Sequence, residues 1–81
     1  MTLQEKIDKL PKRIIFENRK YEIAFVMKSD FVRLICRCYQ PIAKEMLFEV
    51  YDLVAYKSLS EVVEDVIDRA LTIIENREWE K

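Results

Sequence analysis

Between residues 12 and 40 the chain alternates with a period of two, a pattern that builds a strand and cannot be laid on one face of a helix. Two turn candidates interrupt it, Glu17-Asn18-Arg19-Lys20 and Lys28-Ser29-Asp30-Phe31. Register is testable from sequence, because a slip of one residue turns every side chain of a strand to the opposite face. Two-residue loops at Asn18-Arg19 and Ser29-Asp30 set Phe16 opposite Tyr21 and Ile14 opposite Ile23. They also set Phe25 opposite Leu34, Ile23 opposite Cys36 and Met27 opposite Val32. One face then collects Ile14, Phe16, Tyr21, Ile23, Phe25, Met27, Val32, Leu34, Cys36 and Cys38. A three-residue loop at 28–30 sets Arg33 against Phe25 and Glu22 against Cys36, so the two-residue register is expected. Neither loop holds the glycine that the tight hairpin turns of types I′ and II′ favour.

Helical signals flank this region. Thr2-Leu3-Gln4-Glu5 fits a capping box, Leu3, Ile7 and Leu10 follow at helical spacing, and Pro11 ends the segment. Toward the C-terminus, Ser58-Leu59-Ser60-Glu61 is a second capping box. Leu59, Val62, Val63, Val66, Ile67, Ala70 and Ile74 then trace one stripe, with Glu61, Glu64, Asp65, Asp68 and Glu75 opposite. This helix is expected to reach about Arg77, leaving Glu78-Trp79-Glu80-Lys81 as a frayed end from which Trp79 either folds back or anchors a partner. Residues 41–56 are ambiguous. As a helix they put Lys44, Glu45, Glu49 and Asp52 on one side and Ile42, Ala43, Met46, Val50, Leu53 and Val54 on another, with Pro41 suited to the first turn. Their aromatic and β-branched tail pulls toward a strand. The expected fold is α+β, a single domain over 1–81: a three-stranded antiparallel meander with helices packed on one face, order α-β-β-β-α-α. The alternative makes 46–56 a fourth strand, giving α-β-β-β-β-α.

Function classes are narrowed by what the chain lacks. Among its 81 residues there is no histidine and no glycine. That removes histidine general bases, Ser-His and Cys-His dyads, P-loops and dinucleotide fingerprints. Cys36 and Cys38 lie two apart on one strand, ~6.6–7 Å between Cα atoms, at the limit for a disulfide. Two thiolates with no histidine make an incomplete zinc site. Buried reduced thiols are expected, with no metal, no cofactor and no catalytic residue. No apolar run approaches the ~18–20 residues that span a bilayer, and the charged N-terminus has no signal core, so a cytoplasmic location is expected.

The second face of the sheet carries the functional question. On this register it holds Arg13, Ile15, Glu17, Lys20, Glu22, Ala24, Val26, Lys28, Phe31, Arg33, Ile35, Arg37 and Tyr39. That face is too apolar for plain solvent and too charged for a core. Three readings compete: a protein contact, since aromatic residues and Arg are enriched at interfaces; burial of Ile15, Val26 and Ile35 beneath residues 41–56; and single-stranded nucleic acid, with Phe31 and Tyr39 stacking on bases and Arg13, Lys28, Arg33 and Arg37 on phosphates. Nucleic acid ranks last because the net charge is −1. Residues 1–40 hold nine Lys/Arg against five Asp/Glu, and residues 41–81 five against ten, so a basic region and an acidic helix share one small body. Glu61, Glu64, Asp65 and Asp68 form a second candidate surface, able to meet a basic protein or to stand as a solvated helix face.

In element order α-β-β-β-α-α resembles the plan of some phage-encoded inhibitors of CRISPR nucleases, which implies an accessory or inhibitor protein. The shorter α-β-β-β-α order is similar to double-stranded RNA-binding domains, whose last helix begins basic where this chain has the acidic SLSEVVEDV. The function expected is a small non-enzymatic protein-protein interaction module, of phage or mobile-element type. It binds another protein or a second copy through Phe31, Arg33, Ile35, Arg37 and Tyr39, bordered by Arg13, Ile15 and Val26.

Overall fold

A computed structural model describes residues 2–38 and 45–80 of the chain. The elements run α1 (Leu3–Lys9), β1 (Arg13–Phe16), β2 (Arg19–Met27), β3 (Phe31–Cys38), β4 (Met46–Leu53) and α2 (Leu59–Asn76), followed by a 3-10 turn at Glu78–Glu80. The strands form one antiparallel meander in the order β1-β2-β3-β4. Across Met46–Leu53 the expected helix is overturned, and with it the three-stranded plan; the fourth-strand alternative is the form adopted. The fold is α+β with the order α-β-β-β-β-α, so the three-strand order on which both family resemblances rested is not the one adopted. Tyr39 and residues 40–44 lie outside the described residues.

Two physical reasons favour a strand here. Without β4, β3 would leave a full row of peptide groups unpaired, and Val50, Val54, Phe48 and Tyr51 are side chains that suit a pleated surface better than a helix. The alternation was hidden by a bulge. Cys36 pairs with Phe48 while Arg37 pairs with Met46, which makes Leu47 an extra residue. Leu47 and Phe48, adjacent in sequence, both pack on the covered side. Two consecutive apolar residues on one side imitate helical spacing.

The β2–β3 register is the expected one, from Met27 opposite Val32 to Glu22 opposite Arg37. Its loop is Ser29-Asp30, closed by the Lys28 N–H donating to the Phe31 carbonyl at 2.9 Å. The first hairpin differs from expectation by a shifted loop. Its central residues are Glu17 and Asn18, at φ 51° and 65°, so Ile14 faces Tyr21 rather than Ile23 and Phe16 faces Arg19. Positive φ at both central positions is the type I′ geometry, and asparagine is among the few residues that enter it readily. Both registers keep the same side chains on the same face, which is why the pattern alone could not separate them.

Helix α2 covers one side of the sheet. Thr2 and Ser58 are the two N-caps, accepting the Glu5 and Glu61 N–H groups at 3.2 and 3.3 Å. Val62, Val66 and Ala70 of α2 pack against Val32, Leu34 and Val50, all fully or nearly fully buried. A second cluster gathers Ile14, Tyr21, Cys36 and Cys38. The frayed end expected after Arg77 is corrected: Arg77 adopts the left-handed conformation at φ 48° and ψ 52°, and the chain turns back. Trp79 then stacks on Phe48, centroids 5.8 Å apart, with its indole N–H buried and without a hydrogen-bond partner among the described residues. The expectation that the helices pack together on the sheet is corrected: α2 lies on it, and α1 packs against α2. Helix α1 buries no residue and is tied to α2 by Lys6, whose Nζ lies 2.8 Å from Glu64 and 3.0 Å from Asp68. Among the described residues, no helix is long and apolar enough to cross a membrane.

Candidate functional site: the open face of the sheet

Because α2 takes the covered side, the other side of the sheet has no element laid across it among the described residues. The reading in which 41–56 folds over this face is overturned across Met46–Leu53, which instead widen the sheet and add Glu49, Tyr51 and Leu53 beside β3. These three are absent from the residues expected to form the contact, a consequence of expecting a helix over 41–56. The signal that could have found them is their own alternation with Phe48, Val50 and Asp52.

The face can be laid out row by row from the pairings. At one end Phe31 stands opposite Leu53, and Lys28 lies beside it, its N–H donating to the Phe31 carbonyl across the turn. Next come Val26, Arg33 and Tyr51, then Ala24, Ile35 and Glu49. Arg13, Glu22 and Arg37 follow, with Ile15 and Lys20 beyond. Ile15, Tyr51 and Leu53 are 66%, 45% and 56% exposed, large values for side chains of this kind. Phe31, Val26 and Ile35 are half-buried, and Arg13 and Arg37 are exposed. Of the residues expected to form the contact, the structure thus brings Val26, Phe31, Arg33 and Ile35 together. Arg13, Ile15 and Arg37 stand at the far end, and Tyr39 is outside the described residues.

Arg33 is held firmly for a sheet-surface cation. Its Nε and Nη2 donate to the two oxygens of Glu49 at 2.8 and 3.0 Å, the bidentate fork that fixes both side chains. That hydrogen bonding raises the guanidinium's pKa above its ordinary value. Beside it the Phe31 and Tyr51 rings lie 5.3 Å apart at 30°. Charge is unevenly spread: this face carries Arg13, Lys20, Lys28, Arg33 and Arg37 but only Glu22 and Glu49 as carboxylates.

The acidic surface of α2 is less open than its sequence implied. Lys6 occupies Glu64 and Asp68, and Lys57 Nζ sits 2.6 Å from Asp65. Hydrogen bonds to Glu64 and to Asp65 raise the pKa values of Lys6 and Lys57 respectively. Cys36 and Cys38 are free and buried on the covered side. Burial pushes the Cys36 thiol up to about 11, which keeps it protonated and unreactive near neutrality. Among the described residues no three His, Cys, Asp or Glu side chains gather as metal ligands.

No protein-family model, curated protein or solved structure matches the chain. The open face therefore has to be read from its own chemistry.

The outer edge of β4 shows where a contact is discouraged. The Val54 N–H donates to Asp30 of the β3 side, so by antiparallel alternation Leu53, Tyr51 and Glu49 turn their peptide groups outward. Asp52 Oδ1 accepts the outward Leu53 N–H at 2.9 Å, and Arg69 Nη1 donates to the Tyr51 carbonyl at 3.5 Å. Side chains occupying edge peptide groups are one of the ways natural sheets block strand addition.

Proposed function

We propose that this chain is a small non-enzymatic interaction module that docks another protein on the open face of its sheet, in an accessory role. The observation that carries the reading is the cluster of Val26, Phe31, Ile35, Tyr51 and Leu53 around a fixed Arg33–Glu49 pair, on a face that no helix covers among the described residues. Apolar and aromatic side chains surrounding a pre-ordered Arg are the composition of an interface centre, where rigid anchors lose little entropy on binding. The guarded β4 edge directs a partner to the face rather than to strand addition.

One observation favours a second reading. Five cations against two carboxylates, next to a Phe31–Tyr51 ring pair, is also a surface on which single-stranded nucleic acid can stack. Against it, the strongest-held cation is already neutralised by Glu49. Titrating short fluorescent single-stranded DNA and RNA with the protein separates the two. The protein reading expects no binding tighter than the nonspecific range of ~10⁻⁴–10⁻⁶ M. Tight binding that weakens steeply with salt and is lost in Tyr51→Ala would overturn it.

A further inference from the structure

We infer that the partner of the open face is the same face of a second copy of the chain, paired about a two-fold axis along the Ile35–Tyr51 diagonal. The inference rests on reading this face as a protein contact. On β3 and β4, Arg33 is directly opposite Tyr51 and Ile35 directly opposite Glu49. These four outward side chains make a small rectangle with one charged diagonal and one apolar diagonal. A two-fold interface requires a patch that is its own complement, and this rectangle is one. Rotation by 180° about the apolar diagonal brings Arg33 within ~3 Å of the position over the second copy's Glu49, and Glu49 equally close to the second copy's Arg33, within reach of these long side chains. Ile35 and Tyr51, on the axis, meet their own counterparts.

The charges are suited to being covered. Each guanidinium keeps its bidentate carboxylate within the chain and gains a second carboxylate across the interface, so the four charges alternate in sign around a ring. A covered charge is tolerated when it remains paired and hydrogen-bonded. Residue spacing of ~6.8 Å along a strand and ~4.8 Å between strands puts the axis ~35° from the strands, so the two sheets cross at ~70°. That lies toward the orthogonal class of sheet packing.

Two other self-contacts fit less well. Setting the basic sheet face against the acidic helix is a head-to-tail contact, which yields a ring or an open chain of copies and not a two-fold dimer, and Lys6 and Lys57 already occupy Glu64, Asp68 and Asp65. Pairing through the β4 edge must first displace Asp52 and Arg69. The rectangle sits toward the β4 side of the sheet, so the overlap is small, and a total below ~1,000 Å² places the dimer among weak, transient contacts.

The test is sedimentation velocity from ~10 µM to ~1 mM, the range in which a weak contact of this size is populated. The full chain is compared with Arg33→Glu, Glu49→Arg, the double exchange, and an equimolar mixture of the two single variants. Circular dichroism checks that each is folded. The expected result is a wild-type dimer at high concentration and at least ~10-fold weaker association of each single variant, which sets like charges across the axis. The double exchange restores the dimer. So does the mixture, because one variant presents two carboxylates and the other two guanidinium groups. Tyr51→Lys, which puts like charges on the axis, gives a monomer and serves if a charge variant fails to fold. A wild-type monomer at ~1 mM, or a dimer indifferent to these changes, overturns the inference. A monomer that also ignores oligonucleotides leaves the protein-contact reading standing with a different partner, whereas tight, salt-sensitive oligonucleotide binding removes that reading as well.

Discussion

Leu34 and Ile35 are neighbours on β3 and nearly equal in size, yet they live in different environments. Leu34 is wholly buried against α2, while Ile35 lies half-buried between Ala24 and Glu49 on the open face. The same contrast repeats along the strand: Val32 and Cys36 are fully buried, whereas Arg33 and Arg37 are not. A strand delivers alternate residues to opposite sides whatever their chemistry. This chain therefore places its stability on one side and its unusual side chains on the other. The covered side has no buried charge among the described residues; the open side has apolar residues and charges intermixed.

The largest effect expected from this contrast is in packing. Leu34→Ala should cost about 2–5 kcal/mol, because the void lies between the sheet and α2 and cannot collapse freely. Ile35→Ala on the open face should cost under ~1 kcal/mol in dilute protein, since little packing is lost. Urea unfolding of both variants measures the difference. Equal costs would break the comparison and mean that the open face is covered even in dilute solution.

The second effect is a pH dependence confined to the covered side. Burial keeps Cys36 protonated up to about pH 11, while the unfolded thiol releases its proton near ~8.5–9. The unfolded state then binds fewer protons in that window, so stability falls as pH rises from ~8.5 to about 11, by ~2–3 kcal/mol. Below the lower limit the contribution is fully present. Thermal melts of the wild type and Cys36→Ala across that range check it: the variant's curve should be the flatter of the two.

The smallest effect sharpens the account of how the sheet's faces are registered. Asn18→Gly relieves a left-handed backbone at the second central position of the first turn and should stabilise the chain by up to ~1 kcal/mol, read as a higher melting temperature. Gly at Ser29 should bring no such gain, because that residue does not have positive φ.

Much of the fold was legible from residues 12–38, where a period of two and one continuous apolar set gave the faces and the β2–β3 pairing. Both N-caps and the buried stripe of α2 were likewise local in origin. What sequence patterning could not separate was degenerate in it. A loop at Asn18-Arg19 and one at Glu17-Asn18 preserve the same faces, and only backbone geometry at Glu17 and Asn18 distinguishes them. The contact surface was half visible: Val26, Phe31, Arg33 and Ile35 were named from β2 and β3, whereas Glu49, Tyr51 and Leu53 were assigned to a helix.

In β1, β2, β3 and the two helices the sequence by itself determined which side chains share a face, because that follows from the two-residue repeat of a strand and the 3.6-residue repeat of a helix. Only the tertiary structure decided that Met46–Leu53 is a strand and that, among the described residues, the outer face has no element across it. The reason is that a bulge at Leu47 disguised its local pattern, while its pairing depended on unfilled peptide groups of β3, a partner nine or more residues away in the chain.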